Sequence, residues 1–129
     1  SAMTPGTHGS TFGGNPLAMA AVAVVLDVLT EDGFMQDVRE RAAYLDSALT
    51  NLQSVFPEAI SEIRGRGFLR GICLAKGVDL TAFVSALRCE HVLCVPAAEN
   101  TLRLLPPLII SREEIDILMA ALHRQLGAA

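Results

Sequence analysis

The strongest constraint on the fold is a stretch at residues 17–26 that would be apolar on every face of a helix. Asn15 and Pro16 come just before it, as a helix N-cap and a first helical residue, so we predict a helix from Pro16 to about Leu29. A surface helix normally keeps one polar side. Either the fold buries this helix completely, or a part of the protein outside this chain covers it. For so small a domain we favour the second.

The remainder of the chain alternates helical and strand-like patterns. Apolar residues at helical spacing predict a second helix over residues 34–55, Asp79 caps a third, and a capping box of Ser111 and Glu114 opens a fourth. The predicted strands are two within residues 60–75, on either side of a turn at 65–67, and two short ones at residues 92–95 and 101–105. This order predicts an α+β fold with helices on one face of a small, largely antiparallel sheet.

Charge and length exclude several classes of protein. The net charge is −4 with the charged residues scattered, whereas a nucleic-acid binder would show a basic stripe. The apolar stretch at 17–26 is shorter than the roughly 20 residues that cross a bilayer. The cysteine content is low and odd in number, which predicts reduced thiols and a cytoplasmic location. Residues 1–3 are interpreted as an expression-tag remnant and left out of fold reasoning.

Residues 4–15 are rich in glycine, serine and threonine, which predicts a loop. The hydroxyls of Ser10 and Thr11 lie beside flexible backbone just before a helix N-terminus, an arrangement that favours an anion such as phosphate. The alternative is an ordinary glycine-rich connector, which the chemistry alone favours. A Walker loop is excluded because no lysine follows the last glycine.

Arg103 lies in an apolar strand that ends at a double proline. An arginine there is expensive to bury without a partner. One account is an edge-strand arginine paired with Glu99 or another surface acid. The other is a site that holds a substrate carboxylate through two parallel hydrogen bonds. Position alone does not separate the two.

Two further patterns are weaker. Residues 65–71 resemble a dinucleotide-binding fingerprint, but the spacing is wrong by one residue and no helix follows, so a turn between strands is favoured. Cys89, His91 and Cys94 could ligate zinc. A fourth ligand is not evident, so we favour buried thiols.

Taken together, three segments resemble motifs of the class III pyridoxal-phosphate-dependent aminotransferases. They are residues 8–18 (HGSTFGGNPLA), 64–71 (RGRGFLRG) and 102–108 (LRLLPPL). They stand in the family's order and at similar spacing, and the resemblance extends from Thr4 to Leu126. It implies that residues 16–129 are the small C-terminal domain of a fold-type I enzyme, normally a homodimer.

The resemblance also implies roles for individual residues. Thr11 would bind the phosphate of pyridoxal 5'-phosphate in the partner subunit's active site, with Ser10 assisting, and residues 4–15 would be the phosphate-binding segment. Arg103 would hold the substrate α-carboxylate. Within the family the motifs most resemble enzymes that move an amino group from N-acetylornithine to 2-oxoglutarate, giving glutamate, in arginine biosynthesis.

The family's catalytic Schiff-base lysine lies upstream of residue 8, in a region that this chain does not contain. The single lysine here, Lys76, is expected to be a solvated turn residue, so the chain alone should be inactive. Related transaminases acting on ornithine, succinylornithine, succinyldiaminopimelate or 4-aminobutyrate remain alternatives. A non-catalytic module that binds a partner through the apolar helix is a further one.

Overall fold

The computed structural model describes residues 9–128, so the predicted tag remnant at 1–3 and residues 4–8 of the loop lie outside the described part. The described residues form four helices and one four-stranded sheet. In chain order the elements are α1 (Pro16–Thr30), α2 (Phe34–Val55), β1 (Ile60–Arg66), β2 (Leu69–Leu74), α3 (Leu80–Cys89), β3 (Val95–Ala97), β4 (Thr101–Leu104) and α4 (Arg112–Gly127). The predicted order of helices and strands is therefore confirmed.

The chain divides into two compact units, residues 1–36 and 37–129. In the first, α1 begins where the sequence predicts, because the Asn15 side chain accepts the N–H of Ala18 at 3.0 Å and Pro16 takes the first helical position. No residue of α1 is buried, and Leu17 is 81% exposed. The helix therefore presents an almost entirely apolar surface.

The second unit holds the hydrophobic core. The helical stripe predicted for α2 is buried from Val38 to Leu52, and α3 and α4 add apolar side chains to the same core. The ring of Phe56, just past α2, meets the ring of His123 on α4 edge to face at 4.8 Å. Both predicted caps of these helices form: Asp79 accepts the N–H groups of Thr81 and Ala82, and Ser111 and Glu114 complete a capping box.

The sheet is antiparallel throughout and has the order β1-β2-β4-β3. Residues paired across neighbouring strands share a face, so the register assigns each side chain to one of two faces. The face that carries Ile72, Leu102 and Leu104 belongs to the core. The opposite face, which we call the open face, carries the row Arg64, Gly71 and Arg103.

The strand predicted at residues 92–95 is misplaced, since β3 begins only at Val95. The preceding residues end α3 in a Schellman motif, in which the N–H of His91 bonds the carbonyl of Arg88 and that of Val92 bonds the carbonyl of Leu87. His91 takes the positive φ of 62° that this motif needs and that glycine usually supplies. Because no glycine marks the end of α3 in the sequence, the predicted strand begins three residues too early.

Candidate functional site

The open face of the sheet carries a shallow cavity of about 470 Å³. Arg64 on β1 and Arg103 on β4 line it from opposite sides of Gly71, and Glu99 lies at its rim in the turn between β3 and β4. A residue with a side chain would be crowded at position 71, because a Cβ atom would lie 2.9 Å from the Thr101 methyl carbon and 3.3 Å from Cγ of Arg64. The glycine therefore leaves the space between the two arginines open.

Arg103 lies on an interior strand, between β2 and β3. Its neighbours Leu102 and Leu104 are buried on the core face, while its own side chain is exposed on the open face. Of the two accounts left open by the sequence, the first, an edge-strand arginine paired with Glu99 or another surface acid, is wrong. The strand is not at an edge, and Glu99 pairs with Arg64 instead. Among residues 9–128, Arg103 forms no side-chain hydrogen bond or ion pair.

Arg64 is the most connected polar group of the open face, and the sequence did not single it out. Its Nε donates to Sγ of Cys73 at 2.8 Å, and its Nη2 donates to Oε2 of Glu99 at 3.0 Å. Glu62 adds an ion-pair contact, with its Oε2 3.5 Å from Nε. The bond to Cys73 and then that to Glu99 raise the pKa of Arg64 above its ordinary value. The sequence does show that Glu62 and Arg64, two residues apart on a strand, lie on the same face. It does not show that Glu99 is a partner of Arg64.

The other candidate residues, Ser10 and Thr11, lie in the first unit. The hydroxyl of Ser10 accepts the N–H of Gly13 at 2.9 Å and so shapes the loop, while within the described residues Thr11 has no partner and is exposed. The helix behind them offers few free donors: Pro16 has no N–H, and Asn15 uses that of Ala18. An anion here would therefore bind the hydroxyls and loop amides more than the helix amides.

The glycine-rich segment at residues 65–71 contains a hairpin turn between β1 and β2, as predicted, but the turn is at residues 67 and 68 rather than 65–67 because β1 continues to Arg66. Arg70 fastens it: its Nε donates to the carbonyl of Gly67 at 3.0 Å and its Nη1 to that of Gly65 at 3.1 Å. A further nitrogen, Nη2, pairs with Asp46 at 2.5 Å. Arg70 therefore has a structural role.

The thiols are only partly as predicted. All three cysteines are free, and no cluster of three or more potential metal ligands occurs within the part of the chain that the structure describes. The expectation that Cys89 is buried is wrong, because it is the last residue of α3 and faces outward where the helix ends. Cys94 is half-buried, and burial raises the pKa of its thiol to about 11.

This difference predicts selective labelling by iodoacetamide. At pH 7.5 the raised pKa leaves Cys94 with very little thiolate, so it should react roughly a hundredfold more slowly than an unhindered thiol. Peptide mapping after brief labelling should find Cys89 modified first. Raising the pH to 10 should accelerate Cys94 by more than tenfold. Equal labelling of the two at pH 7.5 would contradict the burial of Cys94.

Residues 1–126 match the family model "Aminotransferase class-III", and the chain therefore belongs to that family. Among curated relatives, the acetylornithine aminotransferase of Brucella melitensis is 50% identical over 113 residues. That alignment covers 87% of this chain but only 27% of the relative. The chain thus spans less than a third of the length of the protein it matches.

Solved structures agree on the fold. The lysine aminotransferase from M. tuberculosis superimposes with a TM-score of 0.86 at 30% identity, over 97% of this chain and 29% of that one. Acetylornithine aminotransferase from Elizabethkingia anophelis gives a TM-score of 0.81 at 29% identity, over 98% and 34% respectively. The α+β architecture is therefore that of about one third of an aminotransferase. Among the described helices, none combines the length and apolarity required to span a membrane.

Proposed function

We propose that this chain is the C-terminal part of a pyridoxal-phosphate-dependent enzyme that transfers the amino group of N-acetylornithine to 2-oxoglutarate. The observation that carries the proposal is Arg103, a guanidinium on an interior strand beside an open cavity, with no partner among residues 9–128. The name of the relative at 50% identity supports the choice of substrate. The family's enzymes for ornithine, succinylornithine, succinyldiaminopimelate and 4-aminobutyrate are the alternatives. A cytoplasmic place in arginine biosynthesis follows from the same proposal.

Arg103 would orient the substrate. A guanidinium presents two parallel N–H groups that match a carboxylate, and its rigid strand would fix the α-carboxylate relative to the reacting amine. The half-open setting suits this task, since the charge remains solvated until a substrate arrives. Residues 16–129 would then act as the small domain that supplies this contact.

Ser10 and Thr11 would hold the cofactor's phosphate. The hydroxyl of Thr11, which has no partner within the described part of the chain, and the adjacent loop amides fit a phosphate oxygen. No acidic side chain occurs among residues 9–26 to repel it. In a homodimer this loop would contribute to the partner subunit's active site. When bound, pyridoxal phosphate would supply the electron sink for the carbanion formed in amino transfer. The residues of this chain fit only the phosphate end of pyridoxal phosphate.

Lys76 does not fit the aldehyde end of the cofactor. It is the chain's single lysine, and it lies exposed in the turn between β2 and α3. We therefore expect the 129-residue chain to be inactive alone.

The test is to titrate the purified chain with pyridoxal phosphate and follow its absorbance. We expect no stable, stoichiometric band from a lysine adduct, and Lys76→Arg should give the same spectrum. A band that is lost in Lys76→Arg would overturn the assignment of Lys76, and turnover by the chain would overturn the proposal.

One observation favours a second candidate, a non-catalytic module that binds a partner through α1. The apolar side chains of this helix are exposed, Leu17, Val24 and Leu26 among them. An exposed apolar surface of this kind marks an interface. The natural reading frame separates the two candidates: a large-domain length upstream of Thr4 with a lysine suited to the cofactor supports the enzyme, and its absence supports the module.

A further inference from the structure

Three arginines and one glutamate line the cavity on the open face, and one of the arginines, Arg70, is already engaged by Asp46 and by the turn carbonyls. Arg64 and Glu99 form an ion pair at 3.0 Å, whereas Arg103 has no partner within residues 9–128. Glu99 could in principle serve either cation. Register places Arg64 and Arg103 two strands apart with only Gly71 between them, which corresponds to roughly 10 Å between their backbones. A glutamate side chain at the rim could swing from one guanidinium to the other.

We propose that Arg64 is a positioning residue that holds Glu99 away from Arg103 and so keeps Arg103 open to a substrate carboxylate. The inference rests on the proposed function, because it assumes that Arg103 binds that carboxylate. Without Arg64, Glu99 would act as a built-in competitor for the substrate. The Arg64–Glu99 pair thus determines the fraction of molecules in which Arg103 is available to the substrate carboxylate.

The backbone of Glu99 is fixed, so only its side chain can choose a partner. Glu99 and Asn100 both have positive φ, 58° and 52°, in the turn between β3 and β4. The Asn100 amide fastens that turn by donating to the carbonyls of Leu74 at 3.3 Å, Ala75 at 2.9 Å and Val78 at 3.1 Å. The carboxylate of Glu99 is therefore kept at the rim of the cavity whichever cation it pairs with.

Arg64 is a strong partner for Glu99 because its own guanidinium is fixed by a hydrogen bond to Cys73. Its Nε is fixed by Cys73, whose side chain is buried, and the same sulfur accepts the hydroxyl of Thr101 at 3.5 Å. A guanidinium anchored through Nε presents its Nη2 in a fixed direction, so less side-chain entropy is lost on pairing with Glu99. Arg103 has no such anchor among the described residues, and a loosely held cation is the weaker competitor for Glu99.

The consequence is a specific kinetic signature in the full-length enzyme that carries this chain. In Arg64→Gln the released Glu99 should pair with Arg103 and compete with the substrate carboxylate. KM should then rise for both the amino donor and 2-oxoglutarate, by about two- to fivefold as expected for an exposed ion pair, with kcat little changed. A purely structural role of Arg64 would lower the amount of active enzyme, and so kcat, without raising KM.

Two double variants isolate the role of Glu99. R64Q/E99Q should return KM to the wild-type value, because the competitor is gone. R64Q/E62Q makes the same change of charge next to the same arginine, but Glu62 is not among the residues that line the cavity, so KM should stay high. Equal rescue by both would show a long-range effect of charge and overturn the proposal. Unchanged KM in R64Q would overturn it as well.

Two further variants guard against ambiguous results. If R64Q does not fold, Arg64→Lys keeps a cation for Glu99 but loses the planar anchor, and it should give a smaller rise in KM that E99Q abolishes. No rise in KM in that variant would again overturn the proposal. Arg103→Ala is measured alongside: if it leaves kinetics unchanged, the proposed function fails and this inference with it. If Arg103→Ala is impaired but KM in R64Q is normal, only the role of Arg64 is refuted.

Discussion

Replacing Gly65 by alanine should lower the free energy of unfolding by roughly 2–5 kcal/mol, from the sum of a left-handed backbone penalty and a steric overlap. Gly65 has a φ of +112°, a region that residues with a side chain rarely adopt. A Cβ there would lie 2.1 Å from the carbonyl oxygen of Leu69, and that oxygen is part of the backbone of β2. The overlap cannot be relieved by turning a side chain, so the hairpin itself must open.

Gly67→Ala is the matched control. It makes the same chemical change two residues away, at a φ of +60°, but its Cβ would meet nothing within 4 Å. It should cost only about 1–2 kcal/mol, the left-handed penalty alone. Urea unfolding of the two variants, followed by circular dichroism, measures both. Equal losses of stability would contradict the close approach at Gly65 and leave backbone conformation as the whole effect.

The fold could be predicted where the signals are local. Asn15-Pro16, Asp79 and the Ser111–Glu114 box each mark a helix start within four residues, and every one of these starts is observed. The end of α3 could not be read in the same way. His91 occupies the left-handed position without glycine's signature, so the sequence suggested that the strand had already begun.

The site could be predicted only in part, because its geometry depends on strand register. A single arginine in an apolar strand drew attention to Arg103, but the sequence could not say whether its strand was interior. Glu99 and Arg64 are 35 residues apart and meet only because β1 and β4 both flank β2. Sequence proximity made Glu99, four residues away, one of the partners considered for Arg103. In the structure, Glu99 forms its ion pair with Arg64 instead.

Replacing Arg103 by alanine in the full-length enzyme should reduce kcat/KM by about ten- to a hundredfold. The expected loss is that of a charged hydrogen-bond pair, about 1.5–3 kcal/mol, where 1.4 kcal/mol is tenfold. Because β4 is held on both sides by β2 and β3, the backbone should keep its place when the side chain is shortened. The effect should therefore be confined to substrate use. Steady-state kinetics with varied donor and 2-oxoglutarate measures it.

Two comparisons test whether the lost contact is one to a carboxylate. Arg103→Lys keeps the charge but not the two parallel N–H groups, so it should recover only part of the activity. An amine analogue of the donor without its α-carboxylate has nothing for Arg103 to hold, so wild type and Arg103→Ala should use it equally poorly. If the variant loses activity on both substrates by the same factor, Arg103 acts on something other than the carboxylate. If it loses none on the natural donor, Arg103 has no part in substrate binding, and the main support for the proposed function is gone.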